Sequence, residues 1–374
     1  MKRSVILLLL AALMILLAPA AESVGPPAFE MRAVWVTRWA FKDSADVRGL
    51  FRDLEAIGVN TVFFQVRGSC DALYGSSLEP WSDLLTGRLG ADPGWDPLAI
   101  ALEEGHGRGM SVHAWINVFT GWAVSDSGAA PPPCNPPHVV NARPEWLASD
   151  ARGRRMSLVK DETEHSYVFL SPTHEGVQDH ITEVVRDLIG RYDLDGLHLD
   201  YVRFPDSSYS YDADSKAAYR LDIILGDVGQ ETYSFREWRI RQLTDFVGRL
   251  ARTARALRGD LQVSAAVWQK VGAGREVYLQ DGIEWVLHGH LDFVVPMLYT
   301  ADVEVFGERL DTYVEPAGTE NVVAGLGPYL EAFTDSIVAA ELEAAGARGV
   351  RGYSIFNSDF ALKYGDILRQ YNLR

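Results

Sequence analysis

Short apolar runs alternate with longer amphipathic stretches along most of this chain. The runs are rich in β-branched and aromatic residues, as in buried parallel strands, and the stretches place apolar residues every three or four positions, as on one face of a helix. Eight strands are predicted, at Arg32–Thr37, Thr61–Arg67, Ser111–Val118, Leu194–Tyr201, Gln262–Trp268, Phe293–Tyr299, Val322–Tyr329 and Gly352–Asn357. The helices predicted between them include Asp46–Ile57, Pro97–Arg108, Gly176–Arg191, Phe235–Leu257 and Thr334–Ala345.

Eight strand-then-helix units predict an α/β protein with a (β/α)8 TIM barrel fold. Parallel strands need crossover connections, and right-handed crossovers in series close a ring. An open doubly wound sheet is disfavoured, because no predicted strand is followed by the glycine fingerprint of a dinucleotide site. Dinucleotides are therefore not expected as partners. Long loops after strands three and four, residues 119–176 and 205–232, leave the barrel at the strand ends that usually carry the functional site.

The first residues have the pattern of a secretory signal peptide. A short basic start precedes an apolar run over residues 5–17, and small residues follow it. We predict a signal peptide over residues 1–21 and a single barrel domain over residues 22–374. An uncleaved anchor is the alternative, although a transmembrane helix needs about 20 apolar residues. The mature protein is expected to be exported, periplasmic or extracellular, without stable membrane insertion.

Composition narrows the range of partners. The chain has 35 basic and 51 acidic residues, a formal net charge of −16, which argues against nucleic acid or an anionic membrane as the main partner. No His-x-x-x-His or Cys-x-x-Cys pair occurs, so neither a metal site nor a cofactor is predicted. The two cysteines, Cys70 and Cys134, either form a disulfide or stay as free thiols.

The fourth predicted strand ends in a carboxylate. Because side chains alternate along a strand, His198 and Asp200 share one face with Gly196, and the leucines between them share the other. Burying a histidine and an aspartate in an apolar strand is costly unless each finds a partner. A polar functional site at this strand end is therefore predicted, and a purely structural hydrogen-bond network is the alternative.

Polar and aromatic residues also lie at the ends of the other predicted strands. Aromatic rings with hydrogen-bonding neighbours suit a sugar, which has apolar C–H faces and a polar equator. The pattern predicts a carbohydrate cleft, although a tryptophan here can equally belong to the core. Gln65 and Arg67 alternate with apolar residues, which predicts that both face the barrel mouth, and an ion-pair brace is the alternative for Arg67. The predicted substrate-binding residues are Arg38, Gln65, Arg67, Asp71, Tyr74, His113, Trp115, Asn117, His198, Arg203, Trp268, Tyr299 and Tyr329.

A series of motifs runs in order from residue 31 to residue 357. It includes Arg32-Ala-Val-Trp-Val-Thr37, Asn60-Thr-Val-Phe-Phe-Gln-Val-Arg67, Asp92-Pro-Gly-Trp-Asp-Pro-Leu98, His113-Ala-Trp-Ile-Asn117, Pro144-Glu-Trp-Leu147, Asp195-Gly-Leu-His-Leu-Asp200 and Val295-Pro-Met-Leu-Tyr299. These motifs resemble the glycosyl-hydrolase-like family ten. The resemblance implies a barrel that hydrolyses glycosidic bonds in a β-linked amino-sugar polysaccharide, with peptide-free peptidoglycan glycan strands as the expected substrate.

The implied reaction needs two carboxyl groups, one as an acid and one as a base or nucleophile. Asp200 is the first catalytic candidate and Asp302, after the sixth strand, is the second. The alternatives for the second carboxylate are Asp71, Glu276, Asp281 and Asp359.

Two positions depart from the family pattern. Tyr201 stands where many members have a second aspartate, and Ser171 stands where they have asparagine or aspartate. A non-catalytic glycan-binding protein is therefore one alternative function. A hydrolase of another exopolysaccharide is a second, because the long loops after strands three and four would set specificity.

Overall fold

Eight parallel strands form a barrel, which confirms the predicted fold class. The computed structural model describes residues 27–162, 165–226, 234–330 and 332–373. The strands are β1 (Met31–Val36), β2 (Thr61–Arg67), β3 (Ser111–Asn117), β4 (Thr120–Ala123), β5 (Tyr167–Phe169), β6 (Gly196–Asp200), β7 (Gln262–Val267), β8 (Phe293–Pro296), β9 (Val323–Leu326) and β10 (Gly352–Phe356). Strands β4 and β5 pair antiparallel in the long loop that follows β3, and the other eight form the barrel.

The barrel strands follow their order in the chain around the ring. They are hydrogen-bonded in the order β8-β7-β6-β3-β2-β1-β10-β9, and β1 pairs with β10 to join the two ends of the fold. Between β8 and β9 the structure has two isolated parallel bridges, Val294–Val322 and Met297–Gly325. The ring is therefore nearly closed, and we refer to this junction as the β8–β9 seam.

Helices cover the outside of the barrel. The predicted helix Phe235–Leu257 has the predicted bounds, and the other four predicted helices agree within two residues at each end. Polar side chains begin many of them, as where Asp43 accepts hydrogen bonds from the first-turn amides of Ala45 and Asp46. The helices are Ser44–Ala56, Pro97–His106, Val139–Ala142, Glu175–Arg191, Ala213–Leu225, Phe235–Leu257, Val271–Val277, Gly282–Leu287, Val303–Ala317, Asp335–Ala347, Ser358–Lys363 and Gly365–Asn372.

Apolar residues pack in two layers, one inside the barrel and one between strands and helices. Trp35 and Phe63 belong to the inner layer, whereas Leu197 and Leu199 of β6 belong to the outer layer. Alternating side chains of a strand face opposite sides of the sheet. The alternation predicted for the fourth strand therefore holds, and its polar residues face the barrel interior.

The two cysteines are not bonded to each other. Cys70 is buried, with its Sγ 3.0 Å from Arg67 Nη2 and 3.2 Å from the carbonyl oxygen of Thr120. Burial raises the pKa of the Cys70 thiol to about 12. Cys134 lies 3.2 Å from the carbonyl oxygen of Pro136. Of the two arrangements open from the sequence, the structure has the free thiols.

The predicted signal peptide lies outside the described residues. Its cleavage after residue 21, export of the chain and the single domain over residues 22–374 stay predictions. Within the part of the chain that the structure describes, none of the helices combines the length and apolar character that crossing a bilayer requires.

Candidate active site

A cavity of about 230 Å³ opens at the carboxyl ends of the barrel strands. Its walls are largely aromatic, and Asp200 is the one carboxylate among its described lining residues. Flat aromatic rings suit the apolar faces of sugar rings. The lining residues are Trp35, Thr37, Trp39, Gln65, Trp115, Asn117, Tyr167, Asp200, Tyr201, Arg203, Ala266, Trp268, Met297, Tyr299, Tyr329 and Phe356.

Asp200 ends β6 and holds its carboxyl group in a largely dry environment. The residue is 9% exposed, and burial raises the pKa of its carboxyl to about 6. The N–H of Tyr201, which donates to Asp200 Oδ1 over 2.6 Å, the charge of Arg203 and the indole of Trp115 partly oppose that increase. The indole N–H of Trp115 makes no hydrogen bond of ordinary geometry with the described residues. A carboxyl with this pKa is suited to proton transfer near neutral pH.

Tyr201 turns the chain sharply just after Asp200. Its φ of 48° lies in the left-handed region that few residues other than glycine adopt. In this conformation its N–H reaches back to the carboxylate of Asp200. Its ring meets that of Tyr167, from β5, with centroids 5.8 Å apart. The turn therefore fixes the carboxyl group and also brings an aromatic side chain into the cavity wall.

Two amide side chains line the cavity beside the carboxylate. Asn117 of β3 is in register with Asp200 of β6. Gln65 Nε2 donates to Asn117 Oδ1 over 3.3 Å, and Gln65 Oε1 accepts from the N–H of Arg38 over 3.0 Å. The amides are thereby held in place, with remaining donors and acceptors for sugar hydroxyl groups.

Three depressions share walls with this cavity. One of about 150 Å³ shares Trp39, one of about 280 Å³ shares Arg203, and one of about 310 Å³ shares Tyr299. Together they form a cleft across the mouth of the barrel.

A family profile described as glycosyl hydrolase-like 10 matches residues 30–325. The match covers most of the barrel and includes Asp200. The chain belongs to the glycosyl hydrolase-like 10 family. The membership confirms the resemblance seen in the ordered sequence motifs.

Two curated relatives of this glycosyl hydrolase-like 10 protein carry glycosyl hydrolase names. Glycosyl hydrolase DigH from Escherichia coli (strain K12) is 29% identical over 260 residues, covering 66% of this chain and 56% of the relative. Glycosyl hydrolase YngK from Bacillus subtilis (strain 168) is 25% identical over 298 residues, covering 72% and 54%. The chain thus spans a little over half the length of these relatives.

Solved structures share the barrel. The PgaB (BpsB) glycoside hydrolase domain from Bordetella bronchiseptica superposes with a TM-score of 0.68 at 16% identity, covering 93% of this chain and 100% of that domain. The catalytic domain of β-amylase from Paenibacillus polymyxa gives a TM-score of 0.60 at 14% identity, covering 92% and 98%. At these identities the likeness establishes the fold.

The structure brings most of the predicted site residues of this glycosyl hydrolase-like 10 protein together. Those that line the cavity are Gln65, Trp115, Asn117, Asp200, Arg203, Trp268, Tyr299 and Tyr329. Arg38 and Asp71 lie in the adjoining depression that shares Trp39, with Arg38 Nη1 3.8 Å from Asp71 Oδ1. Tyr74 is fully buried against Tyr192 and does not line the cavity.

His198 lies beneath the cavity rather than in its wall. Trp35 Nε1 donates to His198 Nε2 over 2.9 Å, and His198 Nδ1 lies 2.9 Å from Ser264 Oγ. Its ring stacks on Phe63 with centroids 4.1 Å apart. Burial, followed by the charge of His113, holds the pKa of His198 well below its usual value. Both ring nitrogens of His198 are hydrogen-bonded within the protein. The structure therefore does not support the predicted substrate contact and favours the alternative, a structural hydrogen-bond network.

His113 also lies in the barrel interior, away from the cavity. It is buried between Phe63 and Phe293, and burial lowers the pKa of its imidazole to about 4. A Cβ at Gly196 would lie 2.2 Å from His113 Nδ1, so glycine at 196 makes the space that this ring occupies. The predicted substrate contact of His113 is not supported.

Arg67 points away from the cavity because the pairing of β2 with β3 shifts between Gln65 and Arg67. Such an irregularity changes the face that the following side chains occupy. Arg67 Nε and Nη2 each lie 2.7 Å from a carboxylate oxygen of Glu79, and Nη1 donates to the carbonyl oxygen of Val118 over 3.0 Å. The expectation that both residues face the mouth is therefore wrong for Arg67, which is the ion-pair brace.

Asp302 does not supply a second carboxylate to the cavity. It is exposed, and its Oδ1 caps the helix Val303–Ala317 by accepting from the N–H groups of Glu304 and Val305 over 3.0 and 3.1 Å. Of the alternatives, Asp281 caps the helix Gly282–Leu287 and pairs with Arg275. None of Asp302, Asp281, Glu276 and Asp359 lines the cavity.

No metal centre is found in the described ranges. They contain no group of three or more histidine, cysteine, aspartate or glutamate side chains placed to hold a metal ion.

Several lining residues were not among the predicted ones. Trp35 and Phe356 follow from strand alternation, because both face inward on strands whose ends were already assigned to the site. Tyr167 comes from β5, within a long loop whose pattern gave no sign of a strand. Tyr201 was noted only as a departure from the family pattern, yet it lies in the wall.

Proposed function

We propose that this protein is a glycoside hydrolase of an amino-sugar polysaccharide, with Asp200 as its proton donor. The observation that carries the proposal is a buried carboxyl, its pKa raised to about 6, among aromatic rings at the carboxyl ends of the barrel strands. A protonated carboxyl can give its proton to the leaving glycosidic oxygen, and this catalysis is most effective when the pKa lies near the working pH. Family membership and the names of the relatives support this reaction class.

Peptide-free peptidoglycan glycan strands are the proposed substrate. The family resemblance points to this polymer, and a predicted signal peptide would bring the enzyme to it. The cleft formed by the cavity and three adjoining depressions supports a chain of several sugars. Asp200 would act on the bond that lies over the cavity, with aromatic rings under the sugar faces and the amides of Gln65 and Asn117 beside the hydroxyl groups.

A glycan-binding protein without catalysis is the second candidate. One observation favours it: the cavity lining has one carboxylate among its described residues, whereas most glycoside hydrolases use two. Binding would need the aromatic walls and amides but not a second acidic group.

The test is digestion of peptide-free glycan strands by the purified protein in water enriched in oxygen-18, with products separated by mass. Hydrolysis adds one labelled oxygen at each new reducing end. Anhydro products, which lack the elements of water, would identify a lyase instead. Strands that bind and stay intact would replace the hydrolase proposal with the binding function.

The activity is expected to depend on the protonated form of Asp200. Because burial raises the pKa of this carboxyl to about 6, Asp200 is mostly protonated below that pH and can donate a proton. Above that pH it is mostly deprotonated and cannot. The ratio kcat/KM should therefore fall as pH rises through about 6, approaching tenfold per pH unit. Initial rates on glycan strands between pH 4 and pH 9 check this. A profile that is flat across pH 6 would contradict the role of Asp200.

Replacing Trp39 by alanine is expected to weaken glycan binding about tenfold without unfolding the protein. Its side chain is 57% exposed and joins the cavity to the adjoining depression, so its ring offers a stacking surface. Calorimetric binding of glycan oligomers measures the change. Leu287→Ala is the matched control, because this exposed apolar residue ends a helix that leads into the opposite end of the barrel. Equal losses in both variants would argue against a stacking role.

A further inference from the structure

Arg203 lies at the junction of the cavity and the 280 Å³ depression and lines both of them. Its guanidinium forms no ion pair within the described part of the chain. Nη1 donates to the adjacent carbonyl oxygen of Phe204 over a long 3.3 Å. An arginine with most of its five N–H donors uncommitted in a cavity wall is well placed to bind an anion.

Aromatic rings hold this guanidinium in place. Arg203 Cζ lies 4.5 Å from the ring centroid of Tyr278 and 4.8 Å from that of Tyr201, and 5.7 Å from those of Phe169 and Trp268. Cation–π contacts of this kind restrain the side chain without consuming its hydrogen-bond donors. The charge is therefore fixed before a ligand arrives, which lowers the entropy cost of binding.

Other buried arginines near this end of the barrel donate hydrogen bonds of ordinary length to protein oxygen atoms. Arg67 is bonded to both oxygens of Glu79, and Arg239 donates to the carbonyl oxygen of Ser207 and to the hydroxyl of Tyr211. A charge removed from water is costly unless it is paired. For Arg203 the charge of Asp200 acts only through space, without an ion pair among the described residues, so a ligand anion would supply the direct contact that the protein does not.

Asp206 is the one carboxylate among the described residues that line the 280 Å³ depression, and it forms no ion pair with Arg203. Asp206 Oδ2 lies 3.2 Å from His165 Nε2, and Asp206 Oδ1 accepts from the N–H and the hydroxyl of Ser208 over 2.7 and 2.6 Å. Both of its oxygens are thus engaged elsewhere, and the guanidinium stays available.

We propose that Arg203 selects glycans that carry a carboxylate, by binding that group in the depression while the scissile bond lies over Asp200. This inference rests on the proposed function and names its substrate class. The planar fork of a guanidinium matches the two oxygens of a carboxylate. The shared chemistry is an acidic substituent of an amino-sugar chain, either a lactyl ether on the sugar or the carboxylate of a uronic acid unit.

The experiment compares glycans with and without their charge. Peptide-free glycan strands provide the lactyl carboxylate, a copolymer of amino sugar and uronate provides the other source, and carboxyl reduction of each gives its neutral twin. The wild-type protein is expected to prefer at least one native glycan over its reduced twin by about tenfold to a hundredfold in kcat/KM. Which glycan shows the preference identifies the source of the carboxylate.

The variants assign that preference to Arg203. Arg203→Met should abolish the preference, and Arg203→Lys should keep part of it, because a point charge replaces the fork. Arg186→Met, which removes an exposed charge from the helix Glu175–Arg191, should leave it intact. A preference that survives in Arg203→Met overturns the inference. An equal loss on native and reduced glycans also overturns it, since Arg203 would then act through packing or through the pKa of Asp200.

Failure of the proposed function is separable from failure of this inference. If the wild-type protein cleaves none of the glycans, equilibrium binding of the native and reduced forms provides the readout. A preference in binding that disappears in Arg203→Met supports the carboxylate site in a non-catalytic protein. Equal binding of all forms by the wild-type protein overturns it.

Discussion

The variant Asp200→Asn is expected to lower kcat on peptide-free glycan strands by about a hundredfold to ten-thousandfold. Asparagine keeps the shape of the side chain but has no acidic proton to give to the leaving oxygen, and general acid catalysis contributes about this factor. Glycan binding should change little, because the aromatic walls and the amides remain. Single-turnover rates and product masses for the variant and the wild-type protein measure the difference.

The control for this variant is its stability as a function of pH. Because the pKa of Asp200 is raised in the folded state, protonation of this carboxyl stabilises the fold. This contribution to the free energy of unfolding is fully present below about pH 4 and is lost as pH rises through about 6. Asp200→Asn should therefore unfold with a higher free energy than the wild type at pH 8, by at most about 3 kcal/mol, and with a similar one at pH 4. A folded variant that retains wild-type kcat would remove Asp200 from the mechanism.

Replacing Glu79 by glutamine is expected to destabilise the fold by about 3 to 5 kcal/mol. Glu79 and Arg67 are both buried, and the change leaves the guanidinium of Arg67 without its counter-charge. Burial alone would raise the pKa of Glu79, but the charge of Arg67 and the hydrogen bond with His180 outweigh it and hold that pKa well below its usual value. Chemical denaturation at pH 7 gives the free energy of unfolding.

Two further variants isolate the buried pair. Glu183→Ala breaks an exposed pair with Arg186 and should change the free energy of unfolding by less than about 1 kcal/mol. The double variant Arg67→Met with Glu79→Gln should be less destabilised than Glu79→Gln alone, because no unpaired charge remains. A double variant at least as unstable as the sum of the single changes would refute this explanation.

Periodicity sufficed to predict the barrel, because each of its units repeats the same physical requirement. The barrel strands are largely buried on both faces and the helices between them are mostly buried on one, so runs of apolar residues alternate with amphipathic stretches. The same alternation placed Asp200 on the inward face of β6. As the last residue of that strand, it had to reach the barrel mouth.

The rest of the site depended on contacts that no local pattern contains. The register shift after Gln65 sent Arg67 to Glu79, a residue of the following loop. Asp302 caps the helix Val303–Ala317, where its side chain accepts hydrogen bonds from two backbone N–H groups of the first turn. Tyr167 reaches the cavity only because the long loop after β3 folds back as a pair of strands. Loop conformation and helix capping thus determine which of the predicted side chains reach the cavity, and the alternation of side chains along a strand does not contain this information.

The β8–β9 seam has the least backbone pairing of any junction in the barrel. Seven neighbouring pairs of barrel strands are joined by ladders, with a register shift in the one between β2 and β3, whereas β8 and β9 share two isolated bridges. Local opening of a fold begins where backbone hydrogen bonds are fewest. Tyr299 and Tyr329, whose rings meet with centroids 5.5 Å apart, follow the two strands of the seam. Local opening of the barrel is therefore expected to begin on the tyrosine side of the cleft rather than at the end of β6, which carries Asp200.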